Sequence, residues 1–125
     1  MPNLILVMVG GAIGAGFRYH LGQVALAQLG SAFPWGTWIA NLLGGLLAGV
    51  LAGFLIGEGA QGQPLALFLG VGVLGGFTTF SAFSLEAVGM VQRGELAMAA
   101  AYAVSSVAGA MMMVFIGLFL TRGSA

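Results

Sequence analysis

The side chains able to do chemistry in this chain are few, and their spacing places them together on helix faces. Thr37 and Asn41 are four residues apart, as are Tyr102 and Ser106, with Ser105 beside them. Phe80 and Phe83 are three apart, and Glu86 lies three further on. Residues three or four apart are neighbours on a helix, so each set falls on or near one face if its segment is helical. Arg18 lies four residues after Gly14. These groups supply mainly hydrogen-bond donors: an amide, hydroxyls, a guanidinium and the positive edges of aromatic rings. Hydroxyls and amides also accept, so the set does not by itself prove an anion ligand. No nucleophile is paired with a base, and no carboxylates cluster as metal ligands. The chain has no cysteine and a single His20, which excludes a disulfide framework, a thiolate nucleophile and a histidine cluster. Enzymatic activity is not expected.

The elements that must position these groups are membrane helices. The 125 residues are 60% hydrophobic and 5% charged, against about 25% charged in a soluble domain. Such a chain cannot cover a water-facing surface. Its charged residues are Arg18, Arg93, Arg122, Glu58, Glu86 and Glu95. Residues 1–9 carry no basic side chain and Arg18 lies inside the apolar region, contrary to signal-peptide order, so residues 1–29 are read as retained.

A span needs about 20 mostly apolar residues. The sequence divides into four: 4–29, interrupted by Arg18-Tyr19-His20; 37–56, approached through Pro34, Trp35 and Trp38; 65–91; and 96–120. Residues 58–64 and 92–95 are polar turns, and 121–125 form a short tail. Residues 1–125 thus form a single four-helix transmembrane domain, with loops too short to hold a soluble one. Gly45, Gly49 and Gly53 on the second span, and Gly10 and Gly14 on the first, recur at the spacing that lets membrane helices approach closely.

The third span contains Gly75-Gly76-Phe77-Thr78-Thr79-Phe80-Ser81-Ala82-Phe83-Ser84. Paired glycines and threonines at mid-span suit a broken helix better than a plain anchor, since glycine costs roughly 1 kcal/mol per position relative to alanine. Irregular backbone at membrane depth is tolerated where it is buried in protein or lines a water-filled cavity. A broken span is therefore a candidate ion or substrate site.

Each polar group also has a plainer reading. Ser105 and Ser106 can bond back to their own helix. Phe80 and Phe83 can face lipid. Asn41 can join helices without lining a pore. Arg18 can snorkel to an interface, and Glu86 can reach water from a span end.

At these residues the chain resembles the CrcB/Fluc family of small fluoride channels over nearly its whole length. Gly10-Gly11-Ala12-Ile13-Gly14-Ala15 with Arg18-Tyr19, then Gly36-Thr37 with Asn41 and Gly44, then Gly75-Gly76-Phe77-Thr78-Thr79-Phe80-Ser81 resemble its motifs in order, one per span. The resemblance implies an antiparallel, dual-topology homodimer that passes fluoride passively out of the cell across a bacterial inner membrane. It implies that Phe80 and Phe83 line the pores, that Asn41 donates a hydrogen bond there, and that Thr37, Ser81, Tyr102 and Ser106 form a polar lane. It implies that Arg18 sits near a pore vestibule, where Glu86 is read as a second candidate. It implies a structural sodium ion held by backbone carbonyls of Gly75 and Thr78 from both subunits. Two positions depart from the family pattern: Ala110 replaces a hydroxyl that often continues the lane, and Ala82 stands where the signature usually has threonine.

Two other readings compete. A small multidrug exporter also has about four spans, but resembles a proton exchanger with a carboxylate in its first span. Residues 1–29 contain none. A non-transporting packing subunit would not need the broken segment.

Overall fold

The computed structural model describes residues 2–58 and 64–122. It is all-helical among these residues, with four helices long and apolar enough to cross a membrane. Helix α1 is Pro2–Leu29 and α2 is Trp35–Glu58. The third span, Pro64–Gln92, is in two pieces. Its first piece, α3, comprises Pro64–Ala66, a π-helical stretch Leu67–Leu74, and Gly75–Phe77. Its second piece, α4, is Ser81–Gln92, and α5 is Leu96–Arg122. The chain is a multi-pass membrane protein. The proposed polar turn falls largely on residues 59–63, outside those described, as does the tail from 123 to 125.

Helix ends follow local chemistry. Gly30, at φ +83°, closes α1 with its N–H on the Leu26 carbonyl at 3.0 Å, the simple left-handed cap. The Pro34 carbonyl accepts the Trp38 N–H at 3.1 Å. The α2 helix therefore starts at Trp35, before the expected Thr37. Gly94, at φ +80°, ends α4 in a Schellman motif: Glu95 N–H bonds Met90 O at 2.9 Å and Gly94 N–H bonds Val91 O at 3.0 Å. The polar Arg18-Tyr19-His20 lie within an unbroken α1, so the first span is continuous, as expected from the sequence. These residues carry only ordinary helix penalties, and the Arg18 guanidinium bonds a neighbouring backbone carbonyl, Gly76 O, at 3.3 Å.

Small residues set the packing. A methyl group on Gly10 would lie 2.6 Å from Phe68 O and 3.0 Å from the Gly72 Cα. This seats α1 on the π-helical stretch, where the Gly75 N–H reaches back five residues to Gly70 O. Gly45 lies against the Ala110 carbonyl and Gly49 against that of Val114, so α2 packs backbone to backbone on α5. Gly53 is buried further along. The anticipated glycine register thus joins α1 to α3 and α2 to α5. Near one end, Met90, Ala99 and fully buried Tyr102 form a small core with Phe33, Trp38, Phe83 and Ala87 around it.

Candidate functional site

The third span breaks at residues 78–80, where Thr78 is extended (φ −88°, ψ 157°). Thr78 ends α3 by sending both its N–H and its hydroxyl to the Leu74 carbonyl, each at 3.0 Å. Thr79 opens α4, its hydroxyl accepting the Ala82 N–H at 3.2 Å as an N-cap does. The Asn41 amide spans the gap. Its Nδ2 donates to Thr79 O at 3.2 Å, and its Oδ1 accepts the Thr79 N–H at 3.1 Å. The break is thereby held by a side chain from α2. Thr78 packs its methyl against Gly44, where any Cβ would collide with it. Among the described residues no hydrogen bond reaches the Thr78 carbonyl.

A second polar group lies along α4. The Glu86 carboxylate accepts the Tyr102 hydroxyl at 2.8 Å and the Thr37 hydroxyl at 3.2 Å, joining α4, α5 and α2. Aromatic rings continue from it towards the break. Phe83 lies 5.1 Å from Tyr102, and Phe80 lies 5.7 Å from Phe83, both pairs tilted. Tyr102 also meets Phe33 edge-on at 5.3 Å. Trp38 Nε1 donates to Ser105 Oγ at 3.0 Å, and Ser105 donates to the Tyr102 carbonyl at 3.3 Å.

Two hollows flank this line. One, about 330 Å³, is bordered by Asn41, Thr79, Phe80, Phe83, Ser106 and Ala110. The Ser106 hydroxyl is buried there and has no hydrogen-bond partner among the described residues. The other, about 490 Å³, is a crevice at the end of the bundle shared by the α1–α2 loop and the α4–α5 turn. Thr37, Glu86, Trp35 and Arg93 are among its walls. The arrangement has donors, ring edges and one carboxylate in file. It can pass or hold a small ion.

The family model described as "CrcB-like protein, Camphor Resistance (CrcB)" matches residues 5–118. The chain belongs to the CrcB family. It is 54% identical to the "Fluoride-specific ion channel FluC" of Novosphingobium aromaticivorans, covering 100% of both chains. It is 48% identical to the protein of that name from Sphingopyxis alaskensis, over 98% of this chain and 97% of the relative. It is 53% identical to that of Phenylobacterium zucineum, over 98% and 97% respectively.

In this CrcB-family chain, Thr37, Tyr102 and Glu86 come together, with Ser106 one turn along α5. Ser81 stands apart from them, exposed, its hydroxyl 3.4 Å from that of Thr79. Phe80 is 77% exposed, so this chain alone does not enclose it. Arg18 and Glu86, paired in the sequence reading as vestibule residues, occupy different places: Glu86 borders the crevice, whereas Arg18 lies on the Gly76 carbonyl. Gly75 is exposed beside the break. Sequence reasoning missed Thr79 as the residue that organises the break, although a threonine three residues before a helical N–H is a recognisable capping signal. It also missed the Trp38–Ser105 bond, because a tryptophan near a span end reads first as a headgroup anchor.

Proposed function

We propose that the chain is a fluoride-selective channel that exports fluoride by passive flow and works as an antiparallel, dual-topology homodimer in a bacterial inner membrane. The observation that carries this reading is the full-length similarity, at 54% identity, to a relative named as a fluoride-specific channel. The broken third span, with Phe80 and Phe83 at its restart, supports it.

Fluoride is small and strongly hydrated, so a narrow path must replace its water with donors. In the proposed path, Phe80 and Phe83 present ring edges, whose positive rim suits an anion. The unpartnered Ser106 hydroxyl supplies a donor in the adjoining hollow. Thr37 and Tyr102 hold the Glu86 carboxylate by one hydrogen bond to each oxygen, which fixes its orientation. Asn41 fixes the break on which the rings stand and borders the same hollow. Since this chain leaves Phe80 exposed, a second copy would complete the wall around it.

A sodium ion suits the break. It is a hard cation that takes oxygen ligands, and no hydrogen bond from the described residues reaches the Thr78 carbonyl where the helix ends. Gly75 and Thr78 carbonyls from each subunit would hold it, and its charge would fix two breaks against each other.

Purified protein in liposomes, given a counter-ion path, should release fluoride, and chloride far more slowly. Equal rates would overturn selectivity. Flux of neither ion would favour a packing subunit.

A further inference from the structure

We infer that Arg93 recruits the permeating anion to the crevice mouth and thereby sets the rate at which ions enter the path at low salt. The inference rests on the channel reading above. Arg93 lies in the α4–α5 turn, and among the described residues it is the one side chain bordering the crevice that carries a full positive charge. Its backbone is fixed. The Arg93 N–H bonds Gly89 O at 3.0 Å, and the Schellman motif at Gly94 follows directly. Gly89 leaves the guanidinium room to lie along the helix, since a Cβ there would be 3.2 Å from Nη1. In the structure the side chain lies at the wall of the crevice.

The charges nearby make this placement matter. Glu86 borders the same crevice, with a hydroxyl bonded to each of its oxygens. Two helices end around the crevice and two begin there, so their partial charges largely offset. Glu95 meets Arg93 at 3.4 Å, but both side chains are well exposed, at 61% and 48%. Glu95 therefore offsets part of the Arg93 field, but it does not border the crevice, whereas Arg93 does. Arg18, on α1, is engaged on the Gly76 carbonyl. An anion entering this crevice therefore finds one cation, Arg93, and one carboxylate, Glu86, on the described wall.

An exposed unit charge changes the local concentration of a monovalent ion by about two- to fivefold at low salt, and by little once the Debye length falls to about 3 Å near 1 M. This gives the test. Initial fluoride flux is measured in liposomes at sub-saturating fluoride, with ionic strength set by sodium gluconate from about 10 mM to about 1 M. Arg93→Gln should lower flux about two- to fivefold at the low end, Arg93→Glu by roughly the square of that factor, and both should converge on the unmodified protein at the high end. Arg93→Lys should stay close to the unmodified protein throughout, and Glu95→Gln should raise flux at low salt only. A deficit in Arg93→Gln that is the same at every ionic strength would assign Arg93 a structural role and overturn the inference. So would no deficit at all. Absence of fluoride flux from the unmodified protein would instead overturn the channel reading, and this inference with it.

Discussion

Asn41 grips the backbone of Thr79 from both sides, donating to its carbonyl at 3.2 Å and accepting its N–H at 3.1 Å. One amide thereby satisfies two main-chain groups that the broken helix leaves unpaired, in a setting where water is scarce. An unsatisfied buried polar group costs about 1–3 kcal/mol. Asparagine suits this task because it offers a donor and an acceptor on one rigid plane.

Asn41→Asp keeps the acceptor but sets a carboxylate against the Thr79 carbonyl. The expected result is a loss of stability of about 1–3 kcal/mol in detergent, with fluoride flux reduced by roughly tenfold, the equivalent of about 1.4 kcal/mol on the barrier. Thermal unfolding and liposome flux check this together. Unchanged values in both would mean that the amide braces nothing.

The rings at the restart of the span can be tested apart from the brace. Phe80→Ile and Phe83→Ile keep much of the bulk and remove the positive ring edge. Each should slow fluoride flux while the protein still assembles. Phe83→Ile should also loosen Tyr102, whose ring lies 5.1 Å away. Flux at the unmodified rate in both variants would place the path elsewhere.

Glycine substitutions should sort by what a methyl would strike. Gly49→Ala drives a Cβ into the Val114 backbone, and Gly45→Ala puts one 2.5 Å from Ala110 O. Backbone cannot yield as a flexible side chain can, so each should cost about 1–3 kcal/mol. Gly16 has nothing within 4 Å, and Gly16→Ala should be neutral or stabilise by up to about 1 kcal/mol. Unfolding midpoints of the three variants decide the matter. Equal effects would mean that glycine content, not contact, governs them.

The four spans were legible because composition and turn residues mark them without reference to tertiary structure. The break was legible at Gly75-to-Ser84, yet its site, at 78–80, was set by partners that the local sequence does not display. Asn41 lies 38 residues away from Thr79. The union of Glu86 with Thr37 and Tyr102 was hidden for the same reason: three helices must pack before one carboxylate meets two hydroxyls. Helix-face spacing put Thr37 with Asn41, but in the structure one bonds Glu86 and the other Thr79. The π-helical stretch Leu67–Leu74 had no local signal beyond its glycines. It lies where α1 approaches closely at Gly10 and Gly72.

The sodium proposal predicts a dissociation between fold and assembly. A Cβ on Gly75 would meet only Gly70 O, at 3.9 Å, an ordinary contact within the chain. Gly75→Ala should therefore leave each chain folded and weaken the dimer, because the crowding would come from the partner and its carbonyls. Thorough removal of sodium should weaken the unmodified dimer likewise, with recovery on adding it back. Dimer stability indifferent to sodium, measured by dilution in detergent, would refute the site.

Orientation in the membrane follows from charge counting. With four crossings both termini lie on one side. The α2 helix ends at Glu58 and α5 at Arg122, so these share that side, and Arg93 in the α4–α5 turn lies on the other. One arginine faces one arginine, and adding Arg18 to the Arg93 side makes the ratio only two to one. Orientation is set by an excess of lysine and arginine on the cytoplasmic side, and here the excess is slight. The chain should insert both ways, and an antiparallel pair would then supply the inverted repeat on which many transport proteins are built. Reporters fused to the C-terminus should appear on both sides of the membrane in comparable amounts. Lysines added beside Arg122 should drive that terminus to the cytoplasm and abolish activity, which should return on co-expression with a variant biased the opposite way. One fixed orientation of the unmodified protein, with full activity, would rule out the antiparallel dimer.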